Sequence, residues 1–188
     1  RANRVRKMHS SRRDTFRSLG TLPLGKIDYQ SKKITYYLEP RKKTPREDFI
    51  LDAKIDDHVG MLYFYPGMNP DMIHSMIDNK YHGIVIIGTG LGHVGSNMYE
   101  VLERAYQEEI PIVMVVQPLF GYTHLRVYET GREMLGRGVI EGLNMIPEAA
   151  YPKLCWVLGK TRNPGEVKQL MQTNIAGEII SRESPYGF

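Results

Sequence analysis

The sequence predicts an α/β protein: a small parallel sheet with flanking helices over residues 49–188, preceded by an extended basic connector over residues 1–48. Three observations carry the prediction. After residue 58, apolar runs of strand length alternate with runs of helical periodicity, the pattern of buried parallel strands joined by right-handed crossovers. Glycine and proline punctuate the strand-to-helix junctions. Charge is unevenly divided, with 14 Lys and Arg against 5 Asp and Glu in residues 1–48 and 11 against 16 in residues 49–188, within a total of +4.

The connector reads as extended because Pro23, Gly25, Pro40 and Pro45 break it and no helical period is sustained. Its opening run, Arg1-Ala2-Asn3-Arg4-Val5-Arg6-Lys7, reads as the middle or exit of a strand, so an upstream segment is expected, and a further strand is expected over residues 33–38. The first strand–turn–helix unit comprises a strand at 59–65, a turn at Pro66-Gly67 and a helix from near Pro70 with Asn69 as its cap. The second comprises a strand at 83–87, a glycine-rich loop at 88–95 and a helix at 97–109, where Met98, Val101, Leu102, Ala105 and Tyr106 share one face. A third strand, 112–117, follows Pro111. Two helices close the chain, 147–158 and 164–173, the second opened by Asn163 and Pro164. Pro152 predicts a kink or restart in the first of them, because an interior helical proline costs about 3 kcal/mol.

With 188 residues, 41% of them hydrophobic, the chain can bury a core. No apolar run approaches the roughly 20 residues of a membrane helix, so no membrane span is expected. A lone cysteine, Cys155, cannot form an internal disulfide, and no secretory pattern is present, so a reducing, cytoplasmic setting is expected. His74 and His124 lack metal-ligand spacing, and no metal site is expected.

Gly90-Leu91-Gly92-His93-Val94-Gly95 fits G-x-G-x-x-G between a strand and a helix, the context of a dinucleotide-binding loop. That loop also needs an acid at the tip of the next strand for the ribose, and here the strand ends Val115-Val116-Gln117-Pro118. Two other readings stand beside it. In one, the glycines only make a tight turn; in the other, loop N–H groups and the His93 side chain meet a polar ligand where residues 88–95 and 117–123 converge. Lys7, His9, Arg12, Arg13 and Arg17 form a basic cluster able to touch phosphates or simply to face solvent. Glu129, Arg132 and Glu133 read as a charged helical face, and Leu154, Trp156 and Val157 as core.

Several stretches, in one order along nearly the whole chain, resemble the carboxyl-terminal part of the asparaginase-like amidohydrolase family. They are residues 3–10 and 12–18, Tyr65-Pro66-Gly67, Gly88-Thr89-Gly90-Leu91-Gly92-His93, Tyr128-Glu129-Thr130-Gly131-Arg132, Gly138-Val139-Ile140 and Thr173-Asn174-Ile175-Ala176-Gly177-Glu178. Within the family, residues 12–18 and 159–178 are most similar to the glutaminase subunits of archaeal tRNA-dependent amidotransferases, with free-standing L-asparaginases second. The resemblance implies a flavodoxin-like small domain, joined by the connector to a larger amino-terminal domain that carries the catalytic threonine in a Thr-Gly-Gly-Thr loop. Thr89-Gly90 and Thr130-Gly131 lack the second glycine. No catalytic residue is therefore expected in this segment, which alone should be inert.

For this half the resemblance implies a supporting role. Active sites form between the subunits of a homodimer, and Gly92 and His93, where many relatives carry asparagine, reach the neighbour's substrate. The intact subunit is then expected to release ammonia from glutamine without a cofactor of its own. A tRNA-binding partner subunit, using ATP and Mg, makes Gln-tRNA(Gln) from Glu-tRNA(Gln), and Lys7, Arg12 and Arg13 lie near the tRNA or that partner. An L-asparaginase domain and a nucleotide- or ligand-binding module are the alternatives.

Overall fold

A computed structural model of the protein describes residues 2–40, 42, 43, 45 and 49–183; the expected boundary at residue 48 lies outside them. The connector's extended backbone is organised as two short antiparallel hairpins. After a 3-10 turn at Ala2–Arg4, where a strand was expected, β1 (Val5–Lys7) pairs with β2 (Phe16–Ser18), and β3 (Gly25–Ile27) pairs with β4 (Ile34–Tyr36).

The sheet follows, with β5 (Val59–Tyr63), β6 (Gly83–Gly88), β7 (Ile112–Val116) and β8 (Ile140–Glu141) paired in that order, every pair parallel. Between them lie α1 (Asp71–Asp78), α2 (Tyr99–Gln107) and α3 (Glu129–Gly136), and after them α4 (Pro147–Leu158) and α5 (Pro164–Gln172). Alternate residues of each strand serve opposite faces. Ile84, Ile86, Ile112 and Met114 pack with Ile73 and Ile77 of α1, Val101, Leu102 and Ala105 of α2 and Met134 of α3. Val85, Ile87, Val113 and Val115 pack with Leu154, Val157 and Leu158 of α4 and Val167 and Met171 of α5. Each such buried aliphatic side chain contributes about 1.5–3 kcal/mol. Right-handed crossovers and a strand order that never reverses place α1, α2 and α3 together on one face.

The caps follow local chemistry. Asn69 Oδ1 accepts the Asp71 N–H at 3.0 Å, and Asn163 Oδ1 accepts that of Glu166 at 3.1 Å. The helix expected from residue 97 begins as a 3-10 turn over Ser96–Met98 before α2. Helix α4 runs through Pro152 without the expected restart. The bond lost there is the one to the carbonyl of Glu148, in the first turn on an exposed flank where water can take its place.

One glycine fixes how the carboxyl-terminal end of the sheet is closed. A Cβ on Gly131 of α3 would lie 2.0 Å from the Leu125 carbonyl oxygen, so this helix and the loop after β7 touch through backbone. Gly131→Ala is expected to destabilise the fold by about 1–3 kcal/mol through overpacking. Its urea midpoint should fall with an unchanged m-value; a midpoint equal to wild type would show that the loop moves aside freely.

Candidate functional site

Strand β6 delivers the glycine loop to the carboxyl-terminal edge of the sheet. Thr89 O accepts from the N–H groups of Gly92 at 2.9 Å and His93 at 2.8 Å, and Thr89 N donates to His93 O at 2.9 Å. Gly92 has φ +98°, and a Cβ there would stand 2.8 Å from Thr123 Cγ2, so only glycine meets both the backbone and the packing requirement. The turn therefore uses its own N–H groups at residues 89, 92 and 93. Those three N–H groups are thereby withdrawn from a ligand, because a closed turn must satisfy its own backbone first.

His93 remains available to a ligand. It is half-buried, its ring meets the Tyr128 ring edge-on at 5.6 Å, and Nε2 is buried without a hydrogen-bond partner among the described residues. Burial holds the imidazole pKa below its ordinary 6.5, so the ring is neutral near pH 7. A buried orphan of this kind costs about 1–3 kcal/mol and favours any partner that reaches it.

The loop after β7 meets the glycine loop, as expected. His124 N donates to Leu91 O at 3.0 Å, Thr123 N to Leu143 O at 3.0 Å and Leu125 N to Glu141 Oε1 at 2.9 Å. At the position a ribose-binding acid would take, Gln117 instead donates Nε2 to the carbonyls of Phe64 and Ile87, tying together the ends of β5 and β6. Among the described residues the order β5-β6-β7-β8 also lacks the reversal that opens a nucleotide crevice in doubly wound sheets.

The basic residues lie elsewhere, on the hairpins. Lys7 ends β1, and Arg12 and Arg13 are exposed in the β1–β2 turn, where Arg13 Nη1 donates to the Tyr29 hydroxyl at 3.0 Å. Arg17 pairs with Asp14 at 2.8 Å, and His9 Nδ1 accepts the Ser11 N–H at 3.1 Å. On α3 the charged face is only partly as expected: Glu133 pairs with Arg137, whereas Arg132 donates to the carbonyls of Arg126 and Val127. His74 lies 3.1 Å from an Arg104 nitrogen, and His124 stands beside Tyr122. Among the described residues no group of three or more His, Cys, Asp or Glu could hold a metal, and no helix is long and apolar enough to cross a membrane.

Residues 58–171 match the model of the glutaminase/asparaginase C-terminal domain. The chain belongs to that family. It is 45% identical over 184 residues to the D subunit of glutamyl-tRNA(Gln) amidotransferase from Methanobrevibacter smithii, covering 98% of this chain and 42% of the relative. To the protein of the same name from Pyrococcus furiosus it is 43% identical over 188 residues, covering 100% of this chain and 43% of the relative. The chain thus spans about two fifths of the curated relatives it matches. Among solved structures, the thermostable L-asparaginase from Thermococcus kodakarensis superposes with a TM-score of 0.83 at 32% identity, over 95% of this chain and 53% of that one. L-asparaginase I from Vibrio cholerae does so with 0.83 at 26%, over 96% and 54%. The glycine loop lies inside the region matched to this glutaminase/asparaginase domain.

Proposed function

We propose that the chain is the carboxyl-terminal part of the glutaminase subunit of a tRNA-dependent amidotransferase. In this reading the intact subunit releases ammonia from glutamine, and a tRNA-binding partner subunit that uses ATP and Mg consumes it in converting Glu-tRNA(Gln) to Gln-tRNA(Gln). One observation carries the reading: the match to relatives of that name runs through the connector as well as the domain, at 43–45% identity. The asparaginase alternative rests on structural neighbours at 26–32%.

The geometry suits a supporting half-site. The Thr89 hydroxyl donates to His93 O at 3.1 Å and so serves the turn. The threonine nucleophile belongs to the larger domain, and this segment alone is inactive. In the homodimer, the turn through Gly92 holds His93 at the sheet edge, and a rotation of the neutral imidazole offers an N–H to a carboxylate of the substrate bound in the neighbouring subunit.

The test uses the full-length subunit. His93→Ala should lower kcat/KM for glutamine about 10- to 100-fold, the worth of one hydrogen bond to a charged group, in a subunit that stays folded at the assay temperature. His93→Asn, which keeps a donor, should restore most of it. Unchanged kinetics would reduce His93 to a turn residue, and faster hydrolysis of asparagine than of glutamine would favour the asparaginase alternative.

A further inference from the structure

Residues 49–58 carry the chain from the hairpins to β5 without regular structure of their own, as a strap laid across the carboxyl-terminal end of α4. Its backbone is anchored where Asp56 N donates to Cys155 O at 2.9 Å. Its side chains are held by charge. Asp52 pairs with Lys160, just beyond α4, and Asp56 pairs with Arg162 of the α4–α5 loop. Asp56 also accepts the His58 N–H at 3.0 Å and faces His82, immediately before β6, whose Nδ1 lies 3.0 Å from Oδ2. Burial alone would raise the Asp56 pKa; His82, the His58 N–H and Arg162 outweigh it and hold the carboxyl below 3.8, so Asp56 stays charged in neutral and mildly acidic solution.

These three side chains cannot all be satisfied at once. His82 Nδ1 lies 3.0 Å from the carboxylate, which accepts, and 2.9 Å from Arg162 Nη2, which donates. A nitrogen with a lone pair suits Arg162 and repels Asp56; a nitrogen with a proton does the reverse. Protonating the ring sets a second cation beside Arg162 and leaves one carboxylate between them. Asp56 is anchored through its backbone and His82 N donates to His58 O at 2.8 Å, so Arg162, on a loop, is the group that withdraws. The other titratable groups nearby are engaged or neutral. His58 meets the His82 ring edge-on at 5.2 Å, but its own Nε2 lies 3.0 Å from Asn79 O and its ring stacks on Tyr81 at 4.5 Å. In α4, burial raises the pKa of Tyr151 and of Cys155, an effect that Asp57 of the strap adds to, and both stay neutral near pH 7.

We infer that the strap is a proton-operated switch: Arg162 holds Asp56 while His82 is neutral, and protonated His82 takes Asp56 over and releases Arg162. The connector is thus tied to the α4–α5 loop in one state and to β6 in the other. Histidine is the side chain whose charge changes between about pH 5 and 8, which makes mild acidification the signal. The inference does not depend on the amidotransferase reading.

The test compares thermal midpoints of the full-length subunit at about pH 8 and about pH 5.5. Arg162→Gln should lower the midpoint by about 2–4 °C at the higher pH, where Arg162 holds the strap, and by less than half as much at the lower. The sign follows from linkage. Without the guanidinium, a proton on His82 meets Asp56 and no opposing cation, so the variant binds it more tightly than wild type and recovers stability as pH falls. In a His82→Gln background, which has no ring to protonate, the Arg162→Gln loss should be the same at both pH values. In an Asp56→Asn background, where no carboxylate can change hands, it should fall to about zero at both. Equal losses at the two pH values with His82 in place, or a loss that shrinks with pH just as much when His82 is replaced, would overturn the inference. Glutamine hydrolysis is assayed separately, and its absence counts against the amidotransferase reading while the midpoints decide this one.

Discussion

Replacing Lys153 with methionine is expected to cost about 3–5 kcal/mol of stability, because it breaks a buried ion pair on one side only. The Lys153 and Glu178 side chains are 6% and 5% exposed and meet at 2.6 Å. Lys153 Nζ donates to Glu178 Oε1, to Met171 O at 3.0 Å and to Thr173 O at 2.6 Å. Three acceptors require three N–H donors, which only the ammonium supplies. Burial pushes the Lys153 pKa below its ordinary 10.5, but this donor count keeps the charged form in place. Burial alone would raise the Glu178 pKa; Lys153 and the amides of Ile175, Ala176 and Glu178 itself outweigh it and hold the carboxyl below 4.5. The stability this carboxylate contributes is therefore full above 4.5 and is lost as pH falls through its lower folded value. Urea titrations at neutral pH should show the loss for Lys153→Met, and a double variant that also carries Glu178→Met should regain part of it. A change below about 1 kcal/mol would mean that water reaches the pair and screens it.

The second large effect is expected at Arg4, which is 1% exposed. Its guanidinium donates to Leu19 O at 2.9 Å, Asn144 O at 2.7 Å and Glu178 O at 3.1 Å, and pairs with Glu183 at 3.3 Å. Glu183 in turn accepts the Gly121 N–H at 2.7 Å. One planar group thus ties the connector, the loop after β7 and the carboxyl-terminal segment together. Arg4→Met leaves these carbonyls buried and unpaired, at a cost of about 1–3 kcal/mol each where water cannot enter. Arg4→Lys should not rescue it, since a single ammonium cannot reproduce the guanidinium fork. Chemical denaturation gives the magnitude, and limited proteolysis should cut the variant within the hairpins first. Equal cutting of variant and wild type would show that the connector is held by other contacts.

Most of the fold was legible in the sequence. Strand-length apolar runs separated by glycine and proline announced β5, β6 and β7, and Asn69 and Asn163 announced their helices, because these signals are local. Two-residue β8 is too short to show a period; of the three-residue connector strands, β4 falls inside the strand expected over 33–38 and β1 ends the run read as a strand exit, while β2 and β3 carried no signal. At Pro152 the helix does not restart, because the cost of the proline depends on whether water reaches the freed carbonyl, which is a property of the packed surface. At the site, the spacing of glycines marked the turn and His93 within it. Gln117 and Tyr128 could not be singled out: their roles arise from backbone and ring partners distant in sequence, and nothing in their own neighbourhood encodes them.

The clasp formed by residues 3 and 4 also bears on how the molecule acquires its shape. Strands adjacent in the sheet are adjacent in sequence, so each crossover can close over a short loop. By contrast, the bonds from Asn3 to Ala176 and from Arg4 to Asn144 and Glu178 join residues 173, 140 and 174 positions apart. Closing loops of that length carries the largest chain-entropy cost in the molecule and is repaid only when both ends already have surfaces to meet. The order of assembly expected from this is sheet first and clasp last, with the hairpins folding against a domain that already exists.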